Sequence, residues 1–209
     1  MADLLYIESS PRKKRSSSIE IAHQFVEAYR QKHPKNEVKI LDLWERNLPP
    51  FDGDTIDAKY AIMHGNSHTE AQRKAWRAVE ELINEFKQAN KYLFSLPMWN
   101  FGIPYCLKHY FDLIVQPTYT FSYSPEKGYT GLVTGKPAYL VYARGGAYGP
   151  GTGAEGLDFQ ITYMQTILGF IGFTDIQSIV IEPTLASQEA KQHTMEEARK
   201  KADRLATLI

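Results

Sequence analysis

The sequence of 209 residues has little of three things: cysteine, net charge and long apolar runs. Its one cysteine, Cys106, excludes an internal disulfide and favours a reducing, cytoplasmic setting. The 24 basic and 24 acidic side chains cancel, so charge gives no general reason to expect nucleic acid or an anionic membrane as a partner. No stretch approaches the roughly 20 apolar residues of a membrane span. The first residues also lack the basic flank and apolar core of a signal peptide. We expect a soluble cytoplasmic protein.

The composition is that of a globular protein, with 43% hydrophobic residues. A chain of this length can bury one sizeable core, and we expect residues 1–209 to form a single domain. Short apolar runs alternate with amphipathic helix patterns. The runs predict strands at residues 4–8, 38–41, 92–96, 138–143 and 176–181. Residues 42–67 are predicted to be loop with at most one helical turn, and residues 117–134 to be an excursion with extended pieces.

This alternation predicts an α/β fold, with a mostly parallel sheet, right-handed crossovers and helices on both faces. Of the two common doubly wound arrangements, the flavodoxin-like strand order 2-1-3-4-5 fits better. It needs five strands, and the first loop lacks the Gly-x-Gly-x-x-Gly turn of the dinucleotide fold. In such sheets ligands bind in the crevice beyond the carboxyl ends of the strands.

Residues 93–111 form the stretch around which the chain is organised. A buried strand is ended by Pro97, which cannot donate to a strand ladder. The turn Met98-Trp99-Asn100-Phe101-Gly102 follows, and a helical period begins near Pro104. A strand, an aromatic turn and a helix at the carboxyl edge of a sheet predict a site for a flat aromatic ligand.

The first loop is rich in serine and precedes a helix. Its hydroxyls, at Ser9, Ser10 and residues 16–18, would lie beside unpaired backbone N–H groups, an arrangement that binds phosphate. Simple capping of the helix by Ser17 or Ser18 is compatible with that role. The basic residues 12–15 add charge at the same end. They also match a nuclear-localisation or nucleic-acid patch, which the neutral composition disfavours.

Other reactive residues carry weaker signals. Cys106 and His109 are three residues apart on one predicted helix, but a thiol mechanism also needs an orienting group and an oxyanion hole. The histidines show no metal-ligand spacing. His64 and His68 are four residues apart but lack a third ligand, so no metal site is predicted. Trp44, Trp76 and most other aromatic residues are predicted to lie in the core.

An ordered set of motifs resembles the FMN-dependent NADH:quinone oxidoreductases, also called azoreductases. The motifs are Ser9-Ser10 with Ser16-Ser17-Ser18, Pro97-Met98-Trp99-Asn100-Phe101, Gly131-Leu132-Val133-Thr134-Gly135-Lys136, Arg144-Gly145-Gly146 and Leu168-Gly169-Phe170-Ile171-Gly172. The resemblance covers nearly the whole chain. It implies a flavodoxin-like homodimer that binds FMN and uses NADH or NADPH to reduce quinones and azo compounds.

The resemblance also implies roles for individual residues. It places the FMN phosphate against Ser10, Ser16, Ser17 and Ser18. It places the isoalloxazine edge against Met98, Trp99, Asn100, Phe101, Ala143, Arg144, Gly145 and Gly146. Tyr123 and Phe170 would lie at a substrate pocket completed across the dimer interface. The flavin carries the chemistry, so no side chain is assigned a catalytic role.

Several alternatives stay open at this stage. Arg144 could donate to the pyrimidine edge of the ring, or it could be a surface arginine that pairs a carboxylate. The apolar surplus of residues 157–173 could cover a dimer interface, or only fill the monomer core. The protein could be a non-catalytic electron carrier, although such carriers are usually strongly acidic. It could also be a flavin-free interaction module, because fold alone does not fix function.

Overall fold

The computed structural model describes residues 3–67 and 69–209, which leaves Met1, Ala2 and His68 outside the description. The strands among these residues are β1 (Leu4–Glu8), β2 (Val38–Asp42), β3 (Lys91–Pro97), β4 (Phe121–Ser124), β5 (Gly128–Gly131), β6 (Pro137–Ala143) and β7 (Asp175–Ile181). Five of them form a parallel sheet in the order β2-β1-β3-β6-β7, and β4 pairs antiparallel with β5 in a separate hairpin. With the hairpin set aside, this is the predicted order 2-1-3-4-5. The flavodoxin-like fold is confirmed.

The helices of the described residues are α1 (Ser17–Lys32), α2 (Gly53–Met63), α3 (Glu70–Gln88), α4 (Tyr105–Ile114), α5 (Phe159–Ile171) and α6 (Gln188–Leu208). Two hydrophobic clusters separate them into layers. α1 and α6 bury side chains such as Phe25 and Ala202 against one face of the sheet. α3, α4 and α5 bury Phe86, Phe111 and Leu168 against the other. Both sheet faces are therefore covered, as the continuous apolar strands require.

The prediction of loop with at most one helical turn over residues 42–67 is wrong, because α2 occupies eleven of them, about three turns. Only Thr55 and Ala58 of this helix are buried, so it lacks the wide apolar stripe by which amphipathic helices are recognised. A local signal was present. The Asp52 side chain accepts a hydrogen bond from the Thr55 amide at 3.0 Å, which is the N-cap arrangement.

The hairpin of β4 and β5 lies against the end of α5 through a close crossing of two backbones. A Cβ atom placed on Gly131 would lie 2.3 Å from the Gly172 nitrogen and 2.4 Å from the carbonyl carbon of Ile171. Gly172 itself ends α5 with φ of 116°, a left-handed conformation that favours glycine. Both glycines of the motifs are thus explained by backbone packing at this crossing.

Strand register aligns the carboxyl ends of the central strands. Glu8 pairs with Ser95, Pro97 with Ala143, and Ala143 with Ile181. The segments that leave β1, β3, β6 and β7 consequently start side by side at one edge of the sheet. These are the serine loop, the aromatic turn, the Arg-Gly-Gly loop and the segment after Ile181.

Candidate functional site

The serine loop leaves β1 with an unpaired hydroxyl. Ser9 Oγ donates to the Ser95 carbonyl at 2.9 Å, which fixes the start of the loop to β3. Ser10 is 1% exposed, and its Oγ has no hydrogen-bond partner among the described residues. Buried hydroxyls are normally paired, so an unpaired one in a predicted ligand loop needs an explanation. An anion bound in the loop would provide the missing partner.

The same loop ends at the N-terminus of α1. Ser16 caps the helix, since its Oγ accepts from the Ile19 amide at 3.5 Å and lies 3.1 Å from Ser18 Oγ. The first amides of a helix have no partner within it, and the helix dipole makes this end attractive to an anion. Two hydroxyls thus meet at the helix end to which the loop carrying Ser10 leads. The residues present fit a phosphate group.

The basic residues of the loop divide into two groups. The Lys13 ammonium pairs with Asp42 at the end of β2 and lies 3.8 Å from Glu45, while its backbone has a left-handed φ of 48°. Arg12, Lys14 and Arg15 are exposed. Lys13 therefore ties the turn to the neighbouring strand, and the other three place positive charge at the mouth of the loop.

The aromatic turn after β3 is tight and strained. Trp99 and Gly102 exchange backbone hydrogen bonds of 3.0 and 2.9 Å. The two residues between them, Asn100 and Phe101, have φ of 46° and 69°. Positive φ at both central positions is the type I′ pattern, which asparagine tolerates and phenylalanine rarely adopts. Phe101 is nevertheless 41% exposed, so a strained and solvent-facing aromatic side chain lies at the edge of the predicted crevice.

The Arg-Gly-Gly loop starts beside this turn, because the Met98 amide donates to the Ala143 carbonyl at 2.9 Å. A Cβ on Gly145 would lie 2.9 Å from Leu185 Cδ1, whereas one on Gly146 would make only an ordinary contact of 3.5 Å with Tyr148. Leu185 is 84% exposed and its side chain can move. The sequence explanation, close approach of backbone to a flavin ring, therefore stays a prediction at both glycines.

Arg144 differs from both sequence interpretations. The residue is 2% exposed, so it is neither a surface arginine nor a donor with much surface for a ligand. Its guanidinium lies 2.8 Å from Asp158 Oδ2 and 3.2 Å from Glu182 Oε2, and its Nε donates to Gln160 Oε1 at 3.1 Å. Its backbone amide and carbonyl are also paired, with Ile181 and Thr184. The carboxylate pairing of the second interpretation is therefore present, although at a buried position. Contact of residue 144 with the ring edge stays a prediction. The partners come from segments distant in sequence, which no local pattern could reveal.

An apolar groove of about 820 Å³ opens next to the aromatic turn. Its lining comprises Phe51, Trp99, Asn100, Gly102, Ile103, Tyr105, Lys108, His109, Asp112, Phe159 and Tyr163. Most of these side chains are aromatic or aliphatic, with a few polar groups, which is the usual character of a site for flat organic molecules or a partner surface.

Trp44 packs against the core, where it is predicted to lie, and also borders the candidate site. Its Nε1 donates to the Ser9 carbonyl at 2.9 Å, and its ring lies 5.8 Å from that of Trp99 and 5.3 Å from that of Tyr105. It joins the serine loop to the aromatic turn. The sequence signal was its position directly after β2, at the carboxyl edge of the sheet. Trp76, assigned to the core in the same way, is 2% exposed, which confirms that assignment.

Tyr123 and Phe170 lie in an aromatic cluster with Phe121 and Tyr129. Ring centroids are 4.8 Å apart for Phe121 and Phe170, and 5.1 Å apart for Tyr123 and Tyr129. Phe170 stands twelve residues along α5 from Asp158, which is roughly 18 Å at the helical rise. Phe159, at the start of α5, lines the groove beside Trp99, whereas Phe170 lies near the other end of this helix.

Cys106 and His109 do not form a reactive pair. The Cys106 thiol is 5% exposed and lies 3.8 Å from the Ser9 carbonyl, while His109 Nε2 lies 3.0 Å from the Pro49 carbonyl. Burial raises the pKa of the Cys106 thiol to about 11. The thiol is thus protonated at neutral pH and suited to packing rather than nucleophilic attack.

We expect Cys106 in the folded protein to react slowly with iodoacetamide at neutral pH, because the thiolate is the reactive form. The rate should rise only as the pH approaches the raised pKa of the thiol, and should become fast in urea. Mass spectrometry of timed samples measures the rate. Rapid alkylation of the native protein at neutral pH would contradict the burial seen here.

Within residues 3–67 and 69–209, no three His, Cys, Asp or Glu side chains are grouped as metal ligands. His68, one of the histidines considered above, lies outside the described residues. Over the same ranges, no helix combines the length and apolarity needed to cross a bilayer.

Comparison with known proteins agrees with this geometry. Residues 2–206 match the family model described as "Flavodoxin-like fold". The chain is 51% identical to an FMN-dependent NADH:quinone oxidoreductase of Nitratidesulfovibrio vulgaris over 207 residues, which cover 97% of this chain and 99% of the relative. The chain belongs to this family. A second relative of the same name, from Desulfotalea psychrophila, is 48% identical over 206 residues, covering 99% of this chain and 97% of the relative.

Solved structures show the same likeness. An azoreductase from Bacillus anthracis strain Sterne superimposes with a TM-score of 0.91 at 29% identity, with all of both chains covered. An FMN-dependent NADH-azoreductase from the Ames Ancestor strain, solved in complex with FMN, gives 0.88 at 28% identity and covers 99% of this chain and 100% of that one. Family membership and fold therefore rest on independent comparisons.

Proposed function

We propose that this protein is an FMN-dependent oxidoreductase that passes two electrons from NADH or NADPH to quinones, and as a second activity to azo compounds. The observation that carries the proposal is the buried, unpaired Ser10 hydroxyl in the loop that leads into α1, within a chain of this family. That arrangement is a phosphate site at the carboxyl edge of a flavodoxin-like sheet. The relatives' names supply the activity.

Different residues of the chain would bind the phosphate and the ring of FMN. We assign the FMN phosphate to Ser10, Ser16, Ser17 and Ser18. We assign the ring edge to Met98, Trp99, Asn100, Phe101, Ala143, Gly145 and Gly146. FMN, when bound, supplies the two-electron redox chemistry, and the protein places it and shapes access to it. The strained Phe101 turn holds an aromatic side chain at the crevice, and the groove beside it offers an apolar surface to flat acceptors.

One crevice must serve both the nucleotide and the acceptor, so we propose that they occupy it in turn. Steady-state rates measured against both substrates should then give parallel double-reciprocal lines. The basic residues at the mouth of the serine loop do not decide between NADH and NADPH, so both nucleotides belong in the assay. Intersecting lines would show that both substrates bind together.

The test of function is anaerobic. Purified protein is reconstituted with FMN, freed of unbound flavin, and mixed with NADH under nitrogen. Rapid loss of the oxidised-flavin absorbance, and its return on addition of a quinone, supports the oxidoreductase. A bound flavin that NADH reduces only slowly would indicate an electron carrier. Failure to retain FMN would indicate an interaction module.

A homodimer forms part of this proposal. The groove beside Trp99 and the exposed Phe159, 57% accessible, leave apolar surface on α4 and α5. The cluster of Tyr123 and Phe170 lies at the end of α5 opposite to Phe159, which lines the groove beside Trp99. Both features are accounted for if two copies pair so that the cluster of one faces the turn of the other.

Phe170→Ala should reduce turnover of the acceptor by about tenfold while FMN stays bound, because the ring would contact substrate and not the phosphate. The measurement is kcat and KM for a quinone alongside flavin content. Leu208→Ala, at a 75% exposed position of α6, is the control and should change neither. Sedimentation completes the test, since a monomer with full activity at nanomolar concentration would exclude the shared pocket.

A further inference from the structure

The buried charges around Arg144 join four separate segments at the carboxyl edge of the sheet. Arg144 follows β6, Asp158 and Gln160 begin α5, and Glu182 follows β7. The fourth segment is reached through Gln160, whose Nε2 donates to the Leu96 carbonyl at 3.3 Å. Leu96 immediately precedes Pro97 and the aromatic turn. The network therefore reaches the strand end from which the turn starts.

The same network also reaches the far side of the Arg-Gly-Gly loop. Glu182 Oε2, which pairs with Arg144, accepts a hydrogen bond from the Tyr148 amide at 3.0 Å. The Tyr148 ring then contacts the Phe101 ring, with centroids 6.2 Å apart. Residues 144–148 are thus fixed at both ends, and their last residue touches the strained turn.

The cost of removing the Arg144 network from water suggests that its role is not simply to stabilise the fold. Arg144 is 2% exposed and Gln160 is fully buried. Removing charges from water is expensive, and a buried ion pair often contributes no more stability than apolar side chains of the same volume. The planar guanidinium of Arg144, by contrast, directs two hydrogen bonds at once, from Nε to Gln160 and from Nη1 to Glu182, which lysine or an apolar residue cannot do. Arginine therefore orients its partners better than lysine or an apolar residue would at this position.

We propose that Arg144 is a positioning residue, which holds the aromatic turn and the Arg-Gly-Gly loop in the relative placement that the flavin ring requires. Its guanidinium acts through Asp158, Gln160 and Glu182 and does not contact the flavin. The inference rests on the proposed function, because it assumes that these two loops grip the ring. It predicts that the network affects ring binding and leaves phosphate binding unchanged.

The experiment compares FMN with riboflavin, which has the ring but lacks the phosphate. Arg144→Lys keeps the charge but loses the fork, and Glu182→Gln releases one arm of the network while keeping an acceptor for the Tyr148 amide. We expect Arg144→Lys to raise the Kd values of FMN and riboflavin by the same factor, about tenfold, so that their ratio is unchanged. Glu182→Gln should raise both Kd values by a smaller common factor. The fluorescence of bound flavin should rise in both variants as the ring becomes less confined.

Turnover gives a second measure. A ring displaced by about 1 Å can lose about 100-fold in rate, so kcat at saturating FMN should fall in Arg144→Lys further than flavin affinity does. The control is Leu205→Ala in α6, which removes a side chain that is 8% exposed and remote from the sheet edge. It should lower Tm without changing either Kd or the flavin fluorescence.

Each other result has a stated meaning. If Arg144→Lys lowers Tm but leaves both Kd values and the flavin fluorescence at wild-type levels, the residue is structural only and the proposal is overturned. A loss confined to FMN would also overturn it, because that would place Arg144 on the phosphate. Failure of the wild-type protein to bind either flavin would instead reject the proposed function.

Discussion

Replacing Ser16, Ser17 and Ser18 together by alanine should weaken FMN binding by about 1000-fold and leave riboflavin binding within about threefold. Each hydrogen bond to a charged group is worth roughly 1.5–3 kcal/mol, and the three hydroxyls lie together at one helix end. Only FMN carries the phosphate that they would hold. Fluorescence titration of the apoprotein with each flavin measures the difference.

Loss of the helix cap must be separated from loss of the ligand contact. Ser16 caps α1, so its removal alone costs about 1 kcal/mol of stability. Ser187→Ala is the matched control, because Ser187 caps α6 in the same way through the Ala190 amide at 3.2 Å. This variant should lower stability by a similar amount and bind FMN normally. Equal losses of FMN and riboflavin in the triple variant would show that the serines do not hold the phosphate.

Gly131→Ala should lower the free energy of unfolding by about 3 kcal/mol or more. The added methyl group would lie 2.3 Å from the Gly172 nitrogen, and its neighbours there are backbone atoms that cannot rotate away. One of the two backbone segments at the crossing must shift, which detaches the hairpin from α5. Urea denaturation followed by circular dichroism gives the value.

Gly169→Ala tests the same helix without the clash. No atom lies within 4 Å of a Cβ at position 169, and alanine favours helix over glycine by roughly 0.5–1 kcal/mol. This variant should be as stable as the parent or slightly more so. If Gly131→Ala stays within about 1 kcal/mol of the parent, the crossing must be looser than the structure shows.

The parallel sheet was predictable because each of its strands is a short apolar run with a turn at its carboxyl end. The run at residues 92–96 is buried throughout, and Pro97 ends it as expected. By contrast α2 escaped detection. A helix that buries only Thr55 and Ala58 leaves almost no periodic trace, and its Asp52 cap is a weaker signal than an apolar stripe.

The candidate site shows the same division between local and distant information. Sequence reasoning located the serine loop and the aromatic turn, because in each the residues that matter are neighbours in the chain. It could not anticipate the surroundings of Arg144, since Asp158 and Glu182 reach it from 14 and 38 residues away. Nor could it show that Trp44, which packs against the core, also joins two loops. Contacts of this kind arise from strand order and register, which become known only once the chain is folded.

The position of Trp44 has an optical consequence. Of the three tryptophans in the chain, Trp44 and Trp99 lie together at the crevice, whereas Trp76 is buried in the core beside Tyr119. Two of the three tryptophan side chains therefore lie close to any flavin bound against the aromatic turn. Energy transfer from indole to flavin would quench most of the tryptophan emission, and the emission of Trp76 would be the least affected. The protein can thus report occupancy of its own crevice without an added label.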